Sequence, residues 1–280
     1  MPLKGLMDTK KIGPIIAVDR GATCTDFGVV ENFKLKDKNE INGRDWGEIE
    51  DVFREYISKT KTSHMVFSGS AAGMPDFIKE KVTIVPEIDS VGFGGAVSAG
   101  FDDCVVVSMG TGTAVVRFKD DVVSHLGGTG VGGGTLRGLS QLLLGEDDHL
   151  VTEKMAMEGD FTQMNLTISD LGYADLSYLP GDMTASNFAS IKSSKKEDYS
   201  AGIHNLIGEA VGVIASLCAR QVGCEDKIVV IGKVAKNEAI RFNLNRVGEL
   251  FQTTFIFPDN PGHATVFGAA MKYCHQLGIR

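Results

Sequence analysis

Asp19 stands at the entry of a small-residue turn, Asp19-Arg20-Gly21-Ala22-Thr23, and that order of residue types suits a bound phosphate. Gly21 lets backbone approach an anion closely, Thr23 can donate a hydroxyl, and Asp19 can hold Mg²⁺ directly or through water. The same chemistry, without the acid, recurs at Gly110-Thr111-Gly112-Thr113. A third segment, Gly127-Gly128-Thr129-Gly130-Val131-Gly132-Gly133-Gly134, feeds a helix. Unpaired N–H groups and the dipole at a helix N-terminus favour an anion, which makes Gly130, Gly132, Gly133 and Gly134 candidate donors. A Gly/Thr turn taken alone is more simply a turn. Three in one chain suit a nucleotide lying between two halves.

Two familiar nucleotide motifs are excluded. Gly128-x-Gly130-x-x-Gly133 satisfies G-x-G-x-x-G, but a dinucleotide fold needs a following strand that ends in an acid about 20 residues on. Here that distance falls at Asp147 and Asp148, just past a helical segment with no strand between. No G-x-x-x-x-G-K-[ST] occurs, which removes a P-loop nucleotidase.

The elements that must carry these turns repeat one grammar. Ile15 to Val18 and Phe27 to Val30 are apolar runs around a polar turn, the pattern of a hairpin. Asp45 to Lys59 has apolar residues at helical period, and His64 to Ser68 reads as a strand. A short helix over Phe77 to Lys81, a short strand over Val82 to Val85 and a close-packed Gly-rich helix over Ser90 to Gly100 follow. A second block then opens with strands Cys104 to Ser108, Ala114 to Phe118 and Val122 to Leu126, the Gly/Thr turn lying between the first two. Helices are expected over Thr135 to Leu144, from a Ser194-x-x-Glu197 capping box to Gly223, over Asn237 to Val247 and over Thr265 to Gln276. Strands are expected at Lys227 to Ile231 and Phe255 to Phe257. The pattern predicts an α/β architecture with an internal duplication, divided near Phe101 to Asp103.

Composition narrows the class. The 280 residues carry 28 Lys plus Arg against 36 Asp plus Glu, a net charge of −8, so broad attraction to nucleic acid or anionic membrane has no support. Glycine is in excess, 34 residues or about 12% against a usual ~7%. Five irregularly spaced cysteines read as free thiols of a reducing compartment, without zinc-ligand spacing. Met1 to Lys11 lacks an apolar h-region and no run approaches eighteen apolar residues, so a cytoplasmic protein is the expectation. Lys195-Lys196-Glu197-Asp198 reads as a solvated helix start.

The chain resembles the type II pantothenate kinases of the acetate and sugar kinase, Hsp70 and actin superfamily. The resemblance is carried by Val18-Asp19-Arg20-Gly21-Ala22-Thr23, Pro86-Glu87-Ile88-Asp89, Met109-Gly110-Thr111-Gly112-Thr113 and the Gly127 to Gly134 segment. Pro180-Gly181-Asp182-Met183-Thr184-Ala185-Ser186-Asn187-Phe188 and Val230-Ile231-Gly232 followed by Asn237 add to it. It implies a duplicated actin-like (ribonuclease H-like) fold with domains over 12–103 and 104–280 and a nucleotide cleft between them. It also implies ATP with Mg²⁺ on Asp19, Gly232 on the adenosine side, and a homodimer built around the long helix. The implied reaction moves the γ-phosphoryl group to the primary hydroxyl of pantothenate or a relative such as pantetheine, in coenzyme A biosynthesis. Thr111 and His125 fall at substrate positions, and Glu87 at that of the general base. A carboxylate beside Pro86 can orient an attacking hydroxyl; the lesser alternative is a surface acid capping the Ser90 helix.

Two departures stand out. The family's first turn runs Asp-x-Gly-Gly-Thr-x-x-Lys, whereas here the second Gly is Ala22 and the Lys position is Asp26. An acid there calls for another cation, for which Arg20 is the sequence candidate. The family's arginine for the substrate carboxylate falls on His125, and Arg117 or Arg137 could replace it. These changes keep open an ATPase that switches a partner protein, and an inactive scaffold of the same fold.

Overall fold

A computed structural model of the chain describes residues 13–173 and 180–279. The expected domain start at Ile12, the segment Met1 to Lys11 and the C-terminal Arg280 lie outside the described residues. The first half runs β1 (Ile15–Arg20), β2 (Cys24–Glu31), β3 (Lys34–Asn42), α1 (Trp46–Thr60), β4 (His64–Gly69), α2 (Asp76–Lys79), β5 (Thr83–Ile84) and α3 (Glu87–Ala99). Its sheet has the order β3-β2-β1-β4-β5, with β1 antiparallel to β2 and parallel to β4. Ile15, Ile16, Ala17 and Val18 are all fully buried, which explains why β1 is a continuous apolar run: side chains on both of its faces are covered. β3 was not expected. Its sequence, Lys-Leu-Lys-Asp-Lys-Asn-Glu-Ile-Asn, is mostly exposed at the sheet edge, and such charge keeps an edge strand from pairing with other chains.

The second half runs β6 (Asp103–Met109), β7 (Thr113–Lys119), β8 (Val122–Thr129), α4 (Gly133–Leu144), α5 (His149–Glu158), β9 (Leu166–Thr167), β10 (Thr184–Ser186) and α6 (Lys196–Val222). It closes with β11 (Ile228–Ile231), α7 (Glu238–Phe251), β12 (Phe255–Ile256) and α8 (Ala264–Gln276). β9 and β10 pair by themselves, and the main sheet is β8-β7-β6-β11-β12. Substituting β6 for β1 and β11 for β4 gives the first sheet again. The duplication extends to backbone detail at the ends of β4 and β11. Gly69 (φ +83°) and Gly232 (φ +95°) both occupy the left-handed region. A Cβ on either would lie 2.4 Å from a carbonyl oxygen, that of Arg20 or of Met109. Only glycine satisfies both demands.

Between the sheets lie α3 and α8. α3 packs on β6, β7, β8 and β11, whereas α8 packs on β1, β2 and β4. Their backbones nearly touch, since a Cβ on Gly268 would fall 1.9 Å from the Ser90 carbonyl oxygen. One core thus draws on Ile15, Ala17, Val106, Val229, Ala264 and Val266 together. A rigid α3 matters for the site because it starts at Glu87.

The expected capping box at Ser194 is not formed. Helix α6 starts at Lys196, and its N-cap Lys195 makes no side-chain cap bond. Its start is solvated at Lys195 and Lys196, as expected, but not at Asp198, which is buried and accepts from the Asp160 N–H at 2.8 Å; Lys196 Nζ donates to the Leu144 carbonyl at 2.6 Å. Packing of α5 and its following turn on α6 overrides the local capping signal. By length and composition α6 could cross a membrane, yet 61% of its most apolar window is buried inside the protein, around Ile203, Ile207 and Val211.

Candidate functional site

The first small-residue turn joins β1 to β2, and Ala22 and Thr23 at its tip are exposed. Asp19, the last residue but one of β1, lies opposite Asp26 of β2, which in turn lies opposite Glu40 of β3. Three carboxylates therefore form a row across the sheet. Asp19 Oδ1 is sealed from solvent and accepts no hydrogen bond. Burial, then the charges of Glu87 and Asp26, push its pKa up to about 7 against a weaker opposing pull from Lys233. Burial likewise raises Asp26, to about 6, with Lys233 opposing.

Arg20 is not the compensating cation. Strand alternation sends its side chain away from Asp19. Its guanidinium donates to the carbonyls of Arg44 (2.9 and 3.3 Å), Ser70 (3.0 Å) and Ala72 (3.3 Å), and it lies 4.2 Å over the Trp46 ring. The cation beside Asp26 comes instead from the second half. Lys233 Nζ is 3.2 Å from Asp26 Oδ1, 2.6 Å from Glu40 Oε1 and 2.6 Å from Cys24 Sγ. Burial works against its charge, but Cys24, Glu40 and Asp26 together hold its pKa above the usual lysine range. No spacing in the sequence links Lys233 to Asp26; the only signal was the acid itself, which demanded a neighbouring cation.

The second turn, Gly110 to Thr113, joins β6 to β7, and Thr111 Oγ1 stands 3.5 Å from Thr23 Oγ1. The two turns therefore meet, one from each half. The glycine octet is not one loop: Gly127, Gly128 and Thr129 belong to β8, paired with Val115, Ala114 and Thr113. Gly130 to Gly132 then turn into α4. The N–H groups of Gly133 and Gly134 donate to the carbonyls of Gly110 (2.8 Å) and Thr111 (2.9 Å), and Gly132 N–H donates to Thr135 Oγ1 at 3.3 Å. The Gly133 and Gly134 amides therefore shape the second turn, and that of Gly132 caps the start of α4, rather than pointing at an anion. Thr113 Oγ1 does the same by donating to the Val131 carbonyl at 2.8 Å. Gly21, Thr23, Gly110, Thr111 and Gly112 remain at the seam, with Gly232 behind Met109.

Glu87 is the exposed first residue of α3, after Pro86, and its charge reaches Asp19. The helix begins at Glu87 itself, with no side-chain cap bond from its N-cap Pro86, so Glu87 is an acid of the first turn, at the positive end of α3. His125 is exposed on the edge strand β8, on the same face as Val123, which packs against Gly92 of α3. Neither arginine considered as its substitute is unengaged. Arg117 binds Asp103 through two 2.9 Å hydrogen bonds, and Arg137 binds Asp147 at 2.8 to 2.9 Å.

The chemistry of Asp19 fits a divalent cation, which would give the orphaned Oδ1 the partner that it lacks. No group of three or more His, Cys, Asp or Glu side chains among the described residues could hold a metal alone. One carboxylate completed by phosphate oxygens is an ordinary Mg²⁺ arrangement.

The raised Asp19 pKa has a consequence for stability. In the unfolded chain the carboxyl ionises near pH 3.8, whereas in the fold it keeps its proton up to about pH 7. Its contribution is therefore fully present below about pH 4 and is lost as pH rises towards 7. Asp19→Asn should escape that loss, so its melting temperature should gain on the wild type by several degrees between about pH 4 and 7. A difference that stays constant with pH would show that Asp19 is not held as described.

Two matching sheets, two helices between them and a small-residue turn from each half at the seam define an actin-like fold with a nucleotide-type site. Solved structures bear out the fold. Component A of the (R)-2-hydroxyglutaryl-CoA dehydratase of Acidaminococcus fermentans superposes with a TM-score of 0.67 at 13% identity, over 96% of this chain and 100% of that one. A ROK family glucokinase from Streptomyces griseus, in complex with glucose and AMPPNP, gives 0.61 at 12%, over 92% and 98%. The chain belongs to the Fumble family, whose model matches residues 98–269. It is 31% identical over 173 residues to the type II pantothenate kinase of Oceanobacillus iheyensis, covering 61% of this chain and 64% of that protein. It is 28% identical over 236 residues to the type II pantothenate kinase of Staphylococcus aureus, covering 80% and 86%.

Proposed function

We propose that this protein is an ATP-dependent kinase that phosphorylates the primary hydroxyl of pantothenate or a related pantoyl compound such as pantetheine. The observation that carries this reading is the meeting of the Thr23 and Thr111 turns beside Asp19 and Glu87; the kinship with type II pantothenate kinases supports the acceptor class. Phosphoryl transfer needs positioning and charge neutralisation more than covalent chemistry from the protein. Glu87 takes the proton from the attacking hydroxyl. Gly21, Ala22 and the Gly110 to Gly112 backbone border the phosphates, Thr23 and Thr111 offer hydroxyls, and Gly232 lies on the adenosine side. Asp19 would hold Mg²⁺, which spreads the charge of the phosphates when bound. The reading includes domains over 12–103 and 104–280, a homodimer involving α6, and a cytoplasmic location.

The acceptor follows from His125. An arginine there could grip a carboxylate through two charge-assisted hydrogen bonds, whereas an imidazole offers one. Losing one such contact is worth on the order of 1.5–3 kcal/mol, roughly ten- to a hundredfold in affinity. Pantothenate should therefore bind less well than to relatives with arginine, and pantetheine, which has no carboxylate, should compete with it. His125→Arg should lower KM for pantothenate about tenfold or more and leave that for pantetheine unchanged. A wild-type preference for pantothenate that the substitution does not increase would refute this assignment.

A further inference from the structure

Lys233 follows Gly232 at the C-terminal end of β11, so it belongs to the second half, yet its ammonium lies among side chains of β2 and β3 in the first, Cys24, Asp26 and Glu40. The row Asp19, Asp26 and Glu40 crosses three adjacent strands. A polyphosphate brought to Gly21, Ala22 and Thr23 would face that row of like charge, and Lys233 is the cation that interrupts it. The other cations near Asp26 are differently placed. Arg20 is bound to three carbonyl groups, and Lys38 Nζ donates to Asn260 Oδ1 at 2.5 Å. Lys236 acts on Asp26 through its charge more weakly than Lys233, and His263 Nε2, 3.9 Å from Asp26 Oδ1, has its pKa lowered to about 4, chiefly by burial. Lys233 keeps 30% of its side-chain surface exposed, enough to reach an anion while it stays paired. Its backbone is fixed, because Gly232 packs on the Met109 carbonyl beside the second turn.

We infer that Lys233 contacts the polyphosphate of the bound nucleoside triphosphate, supplying from across the seam the positive charge that the first turn lacks because residue 26 is an acid. Lys233 is then a nucleotide-binding residue whose charge reaches the first turn only while the two halves abut. The inference rests on the kinase reading above.

The test moves the charge. Lys233→Met alone would strand Asp26, so the informative variants change both residues. Lys233→Met with Asp26→Asn removes the pair, and Lys233→Met with Asp26→Lys returns a cation to the turn itself. Calorimetric titration with MgATP is read beside the unfolding transition without nucleotide, which reports whether each variant folds. The neutral pair should bind MgATP at least roughly tenfold more weakly than the wild type, while the relocated lysine should restore affinity to within about threefold. Lys233→Arg, which keeps the charge, should also stay within a few-fold. Wild-type affinity in the neutral pair would overturn the inference, since Lys233 would then only neutralise Asp26. So would a relocated lysine that rescues nothing, or an arginine variant as weak as the neutral pair. A wild type that binds no MgATP removes the kinase reading and the inference together, whereas the variant results bear on the inference alone.

Discussion

Asp19→Ala is expected to weaken MgATP binding on the order of a hundredfold while leaving the protein as stable as the wild type or more so at neutral pH and above. Both effects have one cause. Asp19 is a half-buried carboxylate with one sealed and orphaned oxygen, set near Glu87 and opposite Asp26, an arrangement that the fold alone gains nothing from. Residues held at such a cost serve function, and removing them commonly trades activity for stability. Calorimetry and thermal unfolding of the two proteins decide it. Equal MgATP affinity, or a clear loss of melting temperature at pH 8, would make Asp19 a structural residue.

Glu87→Gln is expected to lower turnover by roughly a hundredfold or more, the usual scale for losing a general base. MgATP affinity and melting temperature should change little, because Glu87 is exposed and a first-turn carboxylate at a helix N-terminus contributes about 1 kcal/mol or less. Glutamine keeps the shape and removes the ability to accept the proton. The variant should therefore lose kcat far more than KM. Single-turnover measurement of phosphoryl transfer separates the chemical step from product release, and undiminished transfer would return Glu87 to the surface.

Much of this site was legible in the sequence because local chemistry encodes it. Asp19 before Gly21, the Gly110 to Thr113 turn and Glu87 after Pro86 are all short-range patterns, and the structure brings the three segments to one seam. The duplicated sheets were legible too, through buried runs such as Ile15 to Val18 and Cys104 to Ser108. What escaped depends on partners distant in the chain. β3 has almost no apolar alternation because it is a charged edge, so periodicity could not reveal it. Three of the eight residues of the glycine octet are strand, and there Gly128 lies so close to the Thr113 carbonyl that a Cβ would sit 2.5 Å from it. Glycine for close packing and glycine for a phosphate turn look alike in sequence. The compensating cation was sought next to Asp19 at Arg20, and alternation along the strand sent it elsewhere. Lys233 could be found only once β11 was placed beside β6.

The most direct test of the account is to identify the product. Purified wild-type protein with MgATP and either pantothenate or pantetheine, followed by phosphorus NMR and mass spectrometry, should give a phosphate monoester of the acceptor's primary hydroxyl. One ADP should appear for each ester formed, and little ADP when acceptor is omitted. ATP hydrolysis at the same rate without acceptor, or no ester with either compound, would contradict it.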